Sequence, residues 1–362
     1  MTMQRRDFIK AGVASTVLIS SGLPGCQSSR KVPEVTADNI PLWKGFNLLE
    51  KFNGETNDPF RETDFAMIAD WGFNFVRLPM SYWTWGDVND WSKIDEATLR
   101  HIDDAISYGQ KHNIHVNLNF HRAPGYCINR GELEPYQLFE DEEAQDATRF
   151  HWRTFAKRYR GIPNHQLSFD LLNEPPNIPE SQHNPVMLSV IEAIRDADPD
   201  RLIVADGLAV GSKPILGFVD QQLVQSTRGY YPMQVSHHEA SWIPGSDTWP
   251  EPTWPLTEED GDTVDRNTLQ TRLITPWQKV IAQGVKVHVG EWGAYNHTPH
   301  DVALAWMEDL LQLWQEAGWG WALWNFRGSF GILDSQRTDV QYEDYQGHQL
   351  DRKMLDLLQK YG

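Results

Sequence analysis

Eight short apolar segments recur along this chain of 362 residues, and the stretches between them alternate in kind. The segments are 43–48 "WKGFNL", 74–79 "NFVRLP", 114–120 "IHVNLNF", 167–173 "LSFDLLN", 202–206 "LIVAD", 223–227 "LVQST", 285–290 "VKVHVG" and 319–325 "WGWALWN". Each has the length and composition of a buried strand. Each is followed by a helical pattern or a long excursion. The strongest helical pattern covers 94–112, where Ile94, Leu99, Ile102, Ala105, Ile106 and Tyr108 recur near helical spacing. Others cover 143–160, 183–197, 267–283 and 299–317, and a last one at 349–360 closes the chain. Strands alternating with helices predict an α/β fold with a parallel sheet, and eight such units predict one (β/α)8 TIM barrel over residues 41–362.

The connections are unequal. Helix-to-strand links are short, with "NIH", "GVK" and "GWG" passing almost directly into strands. Strand-to-helix links are long, and 121–142 and about 228–266 carry no clear helical pattern. Long loops inside a compact domain tend to be functional, and these fall on the C-terminal face of the strands, where barrel enzymes keep their active sites. Two strands deliver a carboxylate to that face. Glu174 ends the fourth in "LLNEPP", and Glu291 ends the seventh in "VHVGEWGAY". One strand-end glutamate alone could cap a helix. Two facing each other across a barrel mouth are the pair that glycosidic cleavage needs, one to protonate the leaving oxygen and one to attack or to activate water. Pro175 and Pro176 cannot extend the strand, so the chain must turn away just beyond Glu174.

Taken in order, "WKGFNLL", "GFNFVRLPMSYW", "NLNFHRAPGY", "LLNEPP", "VGEWG" and "WALWNF" resemble glycoside hydrolase family 5, the cellulase-like barrel family of retaining glycosidases, over about residues 42–360. The resemblance implies Glu174 as general acid/base, Glu291 as nucleophile, Arg77 supporting the nucleophile, His121 at the rim and Asn173 on the sugar 2-hydroxyl. It also implies Tyr230 bonded to the nucleophile and Trp324 as the sugar platform. One departure stands out. The family pattern leads one to expect His-x-Tyr at the end of the sixth strand, and "STRGYYP" puts Arg228 at the histidine position. A fixed cation beside Glu174 would lower its pKa and hinder it as an acid, so either Arg228 is expected to point elsewhere and pair a subsite carboxylate, or the register at this strand differs. His237, in "VSHHEASW", is a candidate subsite residue.

Simpler roles stand beside these. Arg77 could pair with Asp170 inside the barrel, and His121 could be a loop hydrogen-bonder. Of the 16 tryptophans, Trp152, Trp306 and Trp314 fall in helical patterns and read as packing, whereas Trp83, Trp85, Trp242, Trp292 and Trp324 follow strand ends or lie in long loops and are candidates for stacking on sugar rings. His237 and His238 lack a suitably spaced third metal ligand, and the carboxylate chemistry calls for no cofactor or metal. The expected substrate is a β-linked glucan, with an endo-β-1,4-glucanase favoured. β-Mannanase, xyloglucanase and exo-β-1,3-glucanase are alternatives within the family, and an inactive sugar-binding lipoprotein on the same barrel is an alternative of another class.

The first residues read as an address rather than as fold. "QRRDFIK" followed by "AGVASTVLIS" resembles a twin-arginine export signal, and "LPGCQSS" resembles a lipoprotein processing box with Cys26 as the lipidated residue. Residues 1–25 are therefore expected to be a signal and 26–40 a polar tether, with the protein exported to the periplasm or cell surface and held there by the lipid. With Cys26 modified, Cys127 has no disulfide partner. The formal net charge is −18, and removing 1–25, which carry Arg5, Arg6 and Lys10 against Asp7, leaves about −20. Such a surface repels nucleic acid and anionic lipid and suits a neutral substrate. A monomer is expected.

Overall fold

The computed structural model describes residues 34–53, 56–128, 134–258 and 261–362. Cys26 and the export signal lie outside them. Eight parallel strands close into a barrel: β1 (Lys44–Asn47), β2 (Phe75–Ser81), β3 (His115–Arg122), β4 (Leu167–Asp170), β5 (Ile203–Asp206), β6 (Val224–Gly229), β7 (Val287–Trp292) and β8 (Gly320–Leu323). Each pairs with its neighbours in chain order, and β8 returns to β1. Around the barrel stand α1 (Glu62–Asp70), α2 (Glu96–His112), α3 (Glu142–Arg158), α4 (Glu180–Ala197), α5 (His300–Ala317) and α6 (Arg352–Lys360).

Local chemistry sets the helix limits. Asp95 caps α2 by accepting from the Ala97 N–H, and Asn113 ends it in the left-handed region. Asp351 caps α6 through the Met354 N–H, and Gly318 closes α5 at a φ of 70°. Two expectations need correction. The pattern at 267–283 is helical throughout but not one regular α-helix: it passes from an α-turn (Arg266–Leu269) through a π-turn (Gln270–Ile274) and a 3-10 turn (Thr275–Trp277) to a last α-turn (Gln278–Ile281), because Pro276 removes a donor in mid-segment. Helix α1, only nine residues long, was not anticipated at all.

The polar tether expected over 26–40 also ends earlier. Val35 and Ala37 are buried with Trp43, Phe75, Leu202, Val204, Val224 and Ala322 in an apolar plug at the barrel floor, and Thr36 bridges to Asn39. Residues 34–40 therefore belong to the barrel domain. Above this plug the barrel interior is polar: Asn47, Arg77, Asn117, Asp170, Ser226 and His288 are all buried. The apolar mass lies between barrel and helices, where Trp152, Trp306 and Trp314 pack as expected.

Candidate active site

Two β-strand irregularities aim the side chains at the mouth. Along β7, His288 and Gly290 face the interior, and strict alternation would send Glu291 outward and Trp292 inward. The register against β6 instead shifts between Val289 and Glu291. This bulge re-aims the chain: Glu291 turns in to meet Arg77, and Trp292 turns out. Past β4, regular alternation fails as well. Leu171 and Leu172 are both buried in the outer apolar layer, while Asn173 and Glu174 reach the mouth. Glu174 sits at a φ of 49°, a conformation rare for a residue with a side chain. Its N–H donates to Asp206 Oδ2 (2.9 Å), and its carbonyl accepts from the Tyr126 hydroxyl (2.5 Å), so both sides of the turn are held.

Arg77 links the interior to the mouth. Its Nε donates to Asp170 Oδ2 (2.8 Å), Nη1 to Glu291 Oε1 (2.5 Å) and Asn47 Oδ1 (3.2 Å), and Nη2 to Asn173 Oδ1 (3.0 Å). The two roles weighed for Arg77, interior ion pair and partner of Glu291, are therefore both occupied at once. Tyr230 donates to the other oxygen of Glu291 (3.2 Å). Burial first, then the nearby carboxylates, keep the Tyr230 phenol protonated by pushing its pKa well up. These donors hold both oxygens of Glu291 by hydrogen bonds. His121 lies 3.8 Å from Glu291 Oε1. Burial, followed by the charges of Arg122, Arg77 and Arg228, holds its imidazole neutral. It stacks 5.5 Å from the ring of Trp324, which Phe52 meets edge-on at 5.2 Å.

Arg228 does reach the site. Its Nε donates to Glu174 Oε1 (3.0 Å) and its Nη2 to Asn173 Oδ1 (2.8 Å), with Glu291 Oε1 at 3.5 Å. The two terminal nitrogens grip both oxygens of Asp206. One guanidinium thus touches both glutamates and a third carboxylate that sequence reasoning missed. Despite this contact the Glu174 carboxyl is raised to about 8, by burial first and by the facing charge of Glu291 second, with Arg228 opposing. Asp170 is raised to about 7, again by burial first and then by Asp206. A cavity of about 560 Å³ opens beside Glu174, lined among others by Tyr126, Cys127, Glu134, Gln137, Ile178 and Val210. Glu134 ties this loop together, accepting from the Gly125 N–H, the Tyr82 hydroxyl and the Trp83 indole N–H.

The remaining candidates divide. Trp292 is not a platform: it is 0% exposed and packs against Trp314 and Trp321 at centroid distances of 4.7 and 5.4 Å, behind the barrel wall. Trp85 is likewise core. Trp242 is 49% exposed and belongs to an aromatic wall with Tyr295 and Phe330. His237 lies in that wall, 5.0 Å from the Tyr230 ring and 5.4 Å from Phe330, so it backs Tyr230. Burial lowers its pKa to about 4. Cys127 is a free thiol that accepts from Arg122 Nε at 3.3 Å. Asp206 was missed although it ends the fifth strand in "LIVAD", the same signal that picked out Glu174 and Glu291. Phe52, Tyr126, Glu134 and Phe330 come from loops without a periodic pattern.

Known proteins agree with this architecture. Residues 35–329 match the family model described as cellulase, glycosyl hydrolase family 5. Endoglucanase C of Acetivibrio thermocellus is 27% identical over 81% of this chain and 92% of its own length. Cellodextrinase A of Ruminococcus flavefaciens is 25% identical over 74% of this chain and 79% of its own. A crystal structure described as a glycoside hydrolase is 41% identical, superposes with a TM-score of 0.84 and covers 89% of this chain and 99% of that one. The match across most of the chain, on a closed barrel with two glutamates at its mouth, makes this protein a member of glycosyl hydrolase family 5, a cellulase-like glycoside hydrolase.

Proposed function

We propose that the protein hydrolyses a β-1,4-linked glucan within the chain and with retention at the anomeric carbon, using Glu174 as general acid/base and Glu291 as nucleophile. The observation that carries this reading is the unequal environment of the two carboxyls around one guanidinium. Glu174, raised to about 8, keeps a proton at neutral pH and lines the cavity. Glu291 is surrounded by the donors Arg77 and Tyr230. Two carboxyls in such different surroundings divide acid and nucleophile roles between them. In the first step Glu291 bonds to the anomeric carbon while the carbon–oxygen bond to the leaving sugar breaks. The electron pair of that bond goes to the leaving oxygen, and Glu174 supplies its proton. In the second step Glu174, now a base, takes a proton from water, whose oxygen displaces Glu291. The cavity on the Glu174 side would receive the leaving portion of the chain, and Trp324 with Phe52 and His121 would face the sugar that is attacked. The names of the similar curated proteins, an endoglucanase and a cellodextrinase, support a β-1,4-glucan. Export by the twin-arginine route with a lipid on Cys26 belongs to the same proposal, and mass spectrometry of the mature N-terminus tests it.

A panel of β-1,4-glucan, mixed-linkage glucan, xyloglucan, mannan and β-1,3-glucan, with the products sized over time, tests substrate and mode together. Early release of mixed oligosaccharides from β-1,4-glucan is the expected result. Exclusive release of one small sugar from a chain end, or turnover of mannan or β-1,3-glucan alone, overturns it. Glu291→Ala should abolish turnover, and azide should restore part of it with an inverted product. Near-normal rates in this variant would remove Glu291 from the mechanism.

A further inference from the structure

Arg228 poses a problem that the proposed chemistry does not answer. An uncompensated guanidinium in contact with a carboxyl lowers its pKa by about 1–3 units, which is the wrong direction for a proton donor. Yet Arg228 is not an accidental neighbour. It is buried, and the fold makes room for it at two glycines. A Cβ on Gly290 would lie 2.8 Å from Arg228 Nη1, and one on Gly211, at a φ of 76°, would lie 2.8 Å from its Cγ.

We propose that Asp206 is a positioning residue for the proton donor: by gripping the outer edge of Arg228 and the backbone N–H of Glu174, it converts a fixed cation into a nearly neutral hydrogen-bond donor aimed at Glu174. Both Asp206 oxygens bind the terminal nitrogens of Arg228. Its Oδ2 also accepts the Glu174 N–H and stands 3.6 Å from Arg77 Nη2. The carboxylate is buried; burial disfavours its charge, but Arg228 and Arg77 outweigh that and hold its pKa below the usual range. The Arg228–Asp206 pair therefore carries almost no net charge towards Glu174. The other charged and titratable groups around Glu174 are Glu291 from β7, the Tyr230 phenol after β6, Tyr126, which donates to the Glu174 carbonyl, and Cys127, Glu134 and Glu140, which line the same cavity; Arg77 is linked to it through Asn173 and Asp206.

The geometry also selects an oxygen. Arg228 Nε–H has no lone pair and points at Oε1, so the Glu174 proton is left to Oε2. Once that proton has gone to the leaving group, the same Nε–H stabilises the new carboxylate until it acts as base. A histidine at this place would have its own titration to contend with; the arginine–aspartate pair has none across the working range.

This inference rests on the reading of Glu174 as the proton donor, and the test separates the two. The measurement is kcat/KM against pH on two aryl β-cellobiosides, one with phenol as leaving group, which needs a proton, and one with 2,4-dinitrophenol, which does not. Glu174→Gln should lose the phenyl substrate far more than the dinitrophenyl one; equal loss would overturn the donor assignment itself. Asp206→Asn should move the basic limb for the phenyl substrate down by about one pH unit or more and change the dinitrophenyl rate much less. Arg228→Gln should move that limb up, because Asp206 then faces Glu174 unpaired. The double variant should return it near its original position. A limb that stays put in the single variants, or that moves the same way in both, overturns the proposal. If Asp206→Asn does not fold, the sign of the Arg228→Gln shift decides alone.

Discussion

Replacing Glu174 by glutamine should abolish hydrolysis of natural substrates and at the same time stabilise the protein, in a way that depends on pH. The Glu174 carboxyl is raised from 4.5 to about 8, mainly by burial and next by Glu291. A group whose folded pKa lies above its unfolded value binds more protons in the folded state between the two values. Stability therefore falls as pH rises through that window and is level beyond it. At 1.36 kcal/mol per unit, a rise of this size amounts to about 5 kcal/mol once the pH exceeds the folded pKa. Glutamine has no such loss, keeps an oxygen for Arg228 Nε and has no greater difficulty with the φ of 49° than glutamate. With about 2 °C of melting temperature per kcal/mol in a domain of this size, the variant should melt close to the wild type near pH 4.5. By about pH 9 it should melt roughly 10 °C higher. Differential scanning calorimetry at one scan rate across that range measures the gap. A gap that is constant with pH, or that narrows as pH rises, would refute the burial and charge argument for Glu174.

Three further outcomes follow from the geometry. Trp292→Ala should cost about 3–5 kcal/mol of stability, seen in thermal melts, while kcat/KM of the folded protein changes little; Trp324→Ala should do the reverse, raising KM with a small change in melting temperature. Gly290→Ala places a methyl 2.6 Å from Ser226 Oγ and 2.8 Å from Arg228 Nη1, so it should destabilise by about 1–3 kcal/mol and lower kcat more than it alters KM in steady-state assays. Tyr230→Phe removes the hydrogen bond to Glu291 Oε2 and should lower kcat on aryl cellobiosides by about tenfold or more, the effect of losing about 1.4 kcal/mol or more, without weakening substrate binding.

The strands were legible because each is a run of apolar residues with turn signals at its ends, and such runs sit in the barrel wall within a residue or two of where they were expected at most places. Beyond Asp170 the expected strand stops early, since the residues that follow leave the extended pairing to reach the mouth. Helix α2 was the clearest helix in the sequence because its apolar stripe recurs over several turns. Helix α1 was not seen because nine residues offer too few turns for a period to show. Trp292 was misjudged for a different reason. Placed one residue after a strand-end glutamate, it was expected at the mouth, and only the bulge at Gly290 decides that Glu291 faces in and its neighbour faces out.

The sequence by itself determined that eight strand units would close a barrel, that Glu174 and Glu291 would arrive on its functional face, and that an arginine would stand near them. These depend on patterns and motifs read along the chain. The tertiary structure alone decided what the arginine does there. Its charge is balanced by Asp206, which comes from the neighbouring strand and meets it across the interior, while glycines on two other segments leave the space. Charge balance in a buried site is set by distance through space, and distance through space is what a linear sequence does not carry.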